Sequence, residues 1–160
     1  MPSRNQKSDL IVRAARKKDL PSIVRIVNAG GPDGRPREKL PQSLSYYYFK
    51  AFEKIRADKN AHLMVVERDG KVIGTFQVNF LTYLAGKGRQ DAHIEAFHID
   101  KPFRGKGIGT RMMQWIILEA KQRDCRRIQL TTNIKRLRAH RFYRRQGFSQ
   151  THIGMKLVFK

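Results

Sequence analysis

Apolar and polar positions alternate along the chain in a way that divides it into short strands and helices. Ile11-Val12-Arg13-Ala14-Ala15 has the length and branched content of an opening strand. Asp19-Leu20-Pro21 then reads as a helix start, with Asp19 at the N-cap and proline in the first turn, where its missing N–H costs nothing. Ile23, Ile26 and Val27 give that helix an apolar face, and Gly30-Gly31-Pro32-Asp33-Gly34 ends it and opens a loop. A second helix begins near Ser43 or Ser45 and carries Tyr46, Phe49, Phe52 and Ile55. His62–Glu67 and Lys71–Thr82 are strands joined at Arg68-Asp69-Gly70, a hairpin turn because Asp-Gly accepts positive φ. A third strand of this group, Ala92–Ile99, follows a glycine-containing loop at Gly86-Lys87-Gly88. Gly107–Arg123 is the clearest helix, with Ile108, Met112, Trp115, Ile116 and Ala120 at helical spacing. Arg127–Thr132 is a strand, Leu137–Gln146 a helix stopped by Gly147, and His152–Phe159 a last strand or pair of strands.

The order β-α-α-β-β-β-α-β-α-β predicts a mixed α/β fold, with helices flanking a central sheet that is largely antiparallel. A length of 160 residues suits one domain, expected over 10–160 behind a flexible polar tail at 1–9. Such a chain buries enough surface to hold a core without disulfides. Cys125 is the only cysteine, so neither an intrachain disulfide nor a cysteine-based zinc or redox motif is expected. The first ten residues lead into no apolar signal core, and no run reaches the ~18 apolar residues that span a bilayer. The expectation is a soluble cytoplasmic protein with no membrane partner.

The formal charge of +21 sharpens this picture. After Asp124 there is no acidic residue, while Arg126, Arg127, Lys135, Arg136, Arg138, Arg141, Arg144, Arg145, Lys156 and Lys160 follow. Such a chain attracts polyanions by long-range steering and counterion release, and it welcomes a polyphosphate ligand. Nucleic acid is expected to bind non-specifically at most. No aromatic residues interleave with the basic run as a stacking platform, and no zinc-finger or RRM signature occurs.

Arg104-Gly105-Lys106-Gly107-Ile108-Gly109-Thr110 holds the chemistry that is most legible. It follows a strand and opens a helix, so glycine amides and the first helical turn converge on one point beside Arg104, Lys106 and Arg111. A diphosphate is the natural guest. No Lys-Ser or Lys-Thr follows the last glycine, which excludes a Walker loop, and the preceding antiparallel strands do not fit a dinucleotide fingerprint. Downstream, Ala139-His140-Arg141-Phe142-Tyr143-Arg144-Arg145-Gln146-Gly147-Phe148 forms an A-x-x-x-Y-x-x-x-G-F pattern.

Together, Arg104-x-x-Gly107-x-Gly109 and the Ala139–Phe148 pattern resemble the two motifs of the GNAT superfamily of N-acetyltransferases, and Ile11–Ile26 is similar to its first strand and helix. The resemblance implies acetyl-CoA as cosubstrate, an amine acceptor, and a sheet in which one pair of strands splays apart to hold the coenzyme. It implies that backbone groups of Phe97, His98 and Ile99 pair with the pantetheine arm, that Arg104 and the amides from Gly105 and Lys106 through Gly107, Ile108, Gly109 and Thr110 hold the pyrophosphate, and that Tyr143 protonates the departing thiolate. The asparagine usual three residues before the signature alanine is Arg136 here, and nearby Asn133 stands as its substitute.

His93 and Glu95, eleven and nine residues before Arg104, are two apart on a strand and share a face. Both resemble positions where superfamily members carry the base that takes a proton from the amine. Histidine titrates near neutrality, whereas a carboxylate needs a raised pKa, so base by Glu95, base by His93 and neither all stay open. His62, His98, His140 and His152 show no metal-ligand spacing, and no metal site is expected. The acceptor pocket is expected between Asn28–Phe52 and Leu84–Asp91. A small primary amine leads as acceptor, with a protein or peptide amine as the alternative and a basic nucleic-acid-binding module as the competing class; a homodimer is compatible with each.

Overall fold

The computed structural model describes residues 10–159, so the tail expected over 1–9 lies outside the described residues. The strands are β1 (Ile11–Ala14), β2 (Ala61–Arg68), β3 (Lys71–Thr82), β4 (Gln90–Ile99) and β5 (Arg127–Leu130). The helices are α1 (Leu20–Ala29), α2 (Tyr46–Ala57), α3 (Ile108–Gln122) and α4 (Leu137–Arg145), with an irregular single turn at Ala85–Gly88. The five strands form one sheet in the order β1-β2-β3-β4-β5. The first four run antiparallel to their neighbours, and β5 lies parallel to β4 after the α3 crossover.

Alternation along the strands feeds two cores. On one face Phe76, Val78, Phe80, Ala92 and Ile94 pack against Met112, Met113, Ile116 and Ala120 of α3. On the other, Val65 packs with Leu20 and Ile23 of α1 and Phe52 of α2. Neighbouring residues Val65 and Val66 therefore serve opposite cores, as the two-residue period of a strand requires. The Asp69–Gly70 turn between β2 and β3 has both residues left-handed, as its sequence predicts.

β4 and β5 pair only from Asp91 opposite Arg127 to Ile94 opposite Leu130. At the closed end, buried Asp91 accepts hydrogen bonds from Arg127 Nε at 2.9 Å, Arg89 Nε at 3.1 Å and Gln129 Nε2 at 3.1 Å. Beyond Leu130 the chain leaves β4, which runs on to Ile99. This is the splayed pair expected of the fold.

Two readings of the sequence need correction. Residues 151–159 form no strand; Ile153, Met155, Leu157, Val158 and Phe159 stand 82–92% exposed. Their apolar alternation fits a pleated surface, but a strand exists only where a neighbour accepts its hydrogen bonds, and β5 ends at Leu130 rather than at the expected Thr132. Asp19 does stand before α1, yet its carboxylate makes no cap to that helix. It instead accepts both ends of the Arg13 guanidinium, at 2.7 and 3.0 Å, and the Arg16 amide at 2.7 Å. Arg13 also donates to Glu67 on β2 at 2.8 and 2.6 Å. One guanidinium thus ties β1 to β2 and to the entrance of α1. Burial pushes the Asp19 carboxyl up, but the Arg13 hydrogen bonds, the Arg16 amide and the adjacent cations outweigh it and leave it below the ordinary range.

Asp19 is almost wholly buried, so removing its partner leaves an uncompensated charge. Arg13→Met is expected to lower the unfolding free energy at neutral pH by about 3–5 kcal/mol. The double variant Arg13→Met/Asp19→Leu should regain more than half of that loss. Urea titrations of the three proteins check this, and a single-variant cost under about 1 kcal/mol, the range of an exposed ion pair, would remove the network from its place as the tie between β1 and α1.

Candidate active site

After β4, a short 3-10 turn at Lys101–Phe103 leads into the glycine loop. Gly105 and Gly107 adopt φ of 76° and 77°, a region that residues with a Cβ rarely enter, and the space beyond both is open. Gly107 stands just before α3. The first intrahelical bond is donated by Arg111 to Gly107, so the amides of Ile108, Gly109 and Thr110 have no helical acceptor. Arg104, Lys106 and Arg111 are exposed around them, and among the described residues none of the three has a carboxylate partner. Free amides, a positive helix end and uncompensated cations together fit a diphosphate. Arg104 is held in place by its Nε, which donates to the Ile99 carbonyl at 2.9 Å.

The end of β4 adjoins this loop. Thr75 and Gly74 of β3 face His98 and Ile99 on one side, while the side toward β5 is unpaired. Between Gln77–Glu95 and Thr75–His98 the register slips by one residue, and Ala96 takes the extra length at φ 49°. The bulge changes which way the following side chains point. Phe97 joins Ile94 on the α3 face, 6.2 Å from the Phe76 ring, 5.8 Å from Phe142 and 6.1 Å from Tyr143. Tyr143 is enclosed by Phe97, Phe142 and Phe148. Burial pushes its phenol up to about 12 against the opposing pull of Arg136, so it is protonated at neutral pH.

The opposite face carries the polar groups. His93 and Glu95 lie there, with Nδ1 4.0 Å from Oε1, near enough for charge interaction but too far for a hydrogen bond. Asn79 and Gln77 of β3 lie opposite them, joined by a 2.9 Å hydrogen bond from Gln77 Nε2 to Asn79 Oδ1. His98, buried on this face, packs under the end of α1. A Cβ on Gly30 would stand 2.3 Å from its Nδ1, so only glycine fits there. Burial first, and then Arg136, Arg37 and Arg104, push the imidazole down to about 4, leaving it neutral near pH 7.

Asn133 is exposed, and its Oδ1 accepts the Lys135 amide at 3.0 Å within its own loop. Arg136 instead crosses to the end of α1 and donates to the Gly30 carbonyl. The expected residues therefore divide into a set gathered around the loop, the free edge at Phe97–Ile99 and Tyr143, and an opposite-face pair, His93 and Glu95; Asn133 joins neither. Gln77, Asn79, Gly30 and Arg136 are additions that sequence reasoning missed. Of these, only Arg136 left a mark, as the departure from the motif. Among the described residues no three His, Cys, Asp or Glu side chains converge as metal ligands, and no helix is long and apolar enough to cross a membrane.

This geometry has close counterparts. An aminoalkylphosphonate N-acetyltransferase of Salmonella typhimurium is 34% identical over 116 residues, which cover 72% of this chain and 75% of that protein. A crystal structure from Bacillus halodurans C-125, described as a transcriptional regulator, superposes with a TM-score of 0.88 at 38% identity, over 94% of this chain and all of that one. A predicted acetyltransferase of Clostridium acetobutylicum, solved with acetyl-CoA, shares the fold with a TM-score of 0.72 at 21% identity, over 94% of this chain and 96% of that one. The sequence model of the acetyltransferase (GNAT) family matches residues 25–148, a span that runs from α1 through the splay and the glycine loop to Phe148. On this match the chain belongs to the GNAT family of N-acetyltransferases, which move an acetyl group from acetyl-CoA to an amine.

Proposed function

We propose that the chain acetylates the primary amine of a small molecule, with the coenzyme seated between β4 and β5 and the amine arriving from the α1–α2 face. The observation that carries this reading is the bulge at Ala96, which lies beside the free backbone edge leading to the glycine loop and turns His98 to the face that already carries His93 and Glu95. The relative from Salmonella is named for a small phosphonate amine, which supports a small acceptor over a protein.

In this reading the coenzyme supplies an activated thioester. The amides of Gly105–Thr110 and the charges of Arg104 and Lys106 bind its diphosphate, and the unpaired backbone of Phe97, His98 and Ile99 lines up the arm. The protonated phenol of Tyr143 gives its proton to the departing thiolate. A neutral amine is the nucleophile, and it loses a proton to His93, to Glu95 or to water held by them. His98 contributes backbone and packing. Its ring is buried, and two protonation states do not interchange there near neutral pH.

Two experiments test these roles. At position 107 asparagine tolerates the left-handed backbone, so Gly107→Asn keeps the loop while filling the space where the diphosphate sits. The loss of one charge-assisted hydrogen bond, about 1.5–3 kcal/mol, corresponds to a rise of about 10–100-fold in the KM for acetyl-CoA. Equal thermal stabilisation of wild type and variant by acetyl-CoA would refute the loop assignment.

For the chemistry, Tyr143→Phe should lower kcat by about 10²–10⁴-fold while leaving acetyl-CoA affinity nearly unchanged. Loss of the true base, tested as His93→Ala and Glu95→Gln, should suppress the rate at low pH and return it at high pH, where the amine deprotonates unaided. Rate–pH profiles of the three variants separate the roles. Near wild-type kcat in all of them would leave positioning by the loop and sheet as the source of catalysis.

A further inference from the structure

Two guanidiniums without carboxylate partners, those of Arg37 and Arg136, are carried to the end of α1, where the stem of the Arg37 side chain lies beside Gly31 and Arg136 reaches the adjoining Gly30. Arg136 reaches from the β5–α4 loop to the Gly30 carbonyl. Arg37 lies on the neighbouring loop, and its position is built. Its amide donates to the Asn28 carbonyl at 3.0 Å, and the buried Asn28 side chain clamps the next residue twice, accepting the Glu38 amide and donating to the Glu38 carbonyl, both at 2.9 Å. Arg104 stays at the glycine loop, tied to the Ile99 carbonyl. All three charges are felt at the buried His98 ring beneath Gly30.

The acids of this loop do not neutralise them. Asp33 pairs with Lys135 at 3.4 Å, and Glu38 Oε1 accepts the Tyr48 hydroxyl at 2.6 Å. Among the described residues neither Arg37 nor Arg136 has an ion-pair partner. Like charges gathered without a counterion repel one another, and an anionic ligand removes that penalty with hydrogen bonds that guanidinium geometry favours. The cluster stands on the same side of β4 as Glu95 and His93, which is the face assigned to the amine.

We infer that the acceptor carries an anionic group of the phosphonate, phosphate or carboxylate class, gripped by Arg37 and Arg136 at the end of α1 while its amine lies over His93 and Glu95. This rests on the acetyl-transfer reading above and adds the substrate class to it. Arg104 stays with the coenzyme loop.

The test compares 2-aminoethylphosphonate with propylamine, an uncharged-tail acceptor, at saturating acetyl-CoA. Wild type should favour the phosphonate in kcat/KM by at least tenfold. Arg37→Gln, an exposed change, should lower kcat/KM for the phosphonate at least tenfold more than for propylamine, and Arg136→Gln should do the same if it folds. Equal kcat/KM for the two acceptors in wild type overturns the inference while leaving the acetyl-transfer reading intact. A matching rise in the KM for acetyl-CoA in Arg37→Gln also overturns it, because the arginines then hold the coenzyme's own phosphates. Should neither amine be acetylated, the transfer reading fails, and thermal stabilisation by 2-aminoethylphosphonate decides the anion site separately. Stabilisation lost in Arg37→Gln upholds it, and no stabilisation of wild type overturns it.

Discussion

Between Glu95 and His98, β4 has one residue more than β3 can match, and Ala96 absorbs it in a left-handed conformation. For a residue with a Cβ that conformation costs on the order of 1–2 kcal/mol, and it persists because the strand is held firmly on both sides of it. Upstream, Asp91 and the four-residue pairing with β5 fix β4. Downstream, Thr75 and Gly74 still pair with His98 and Ile99. The extra residue has one direct effect: side chains after it exchange faces. Without it His98 would lie among the phenylalanines of the α3 core, and Phe97 would lie against α1.

That exchange lets the sheet keep two incompatible environments a few ångströms apart. The α3 face around Tyr143 is aromatic and partly buried, which pushes its phenol up. The α1 face is polar, with Gln77, Asn79, His93 and Glu95 accessible and His98 closed off beneath Gly30. Arg136 spans the two sides, bonded to the end of α1 and electrostatically felt by Tyr143.

The fold was legible wherever the cause was local. The glycines at 105 and 107, the Asp69–Gly70 turn and the helical spacing from Ile108 to Ala120 each prescribe their own backbone, and the structure follows them. The bulge was not legible, because alanine at a positive φ leaves no mark in the sequence and the slip exists only relative to β3. Asp19 misled for a related reason. Its sequence neighbourhood is that of a cap, but a guanidinium six residues earlier outcompetes one helical amide. The closing segment had the alternation of a strand without the neighbour that makes one. In the site, the loop and Tyr143 could be read from motif spacing, whereas the meeting of Gly30 with His98 and of Arg136 with α1 joins residues 68 and 106 positions apart.

The uncompensated charge around the glycine loop has a consequence for turnover. In the proposed complex Arg104, Lys106 and Arg111 stand near the coenzyme's phosphates, and acetyl-CoA and free CoA present the same ones. In the complex proposed above, attraction that speeds arrival of the fresh coenzyme therefore retains the spent one equally, a form of uniform binding that lowers KM without raising kcat. Steady-state flux is then governed by escape of CoA and by the cellular ratio of acetylated to free coenzyme. Ionic strength, which weakens exposed electrostatics, becomes a control on product release as well as on capture.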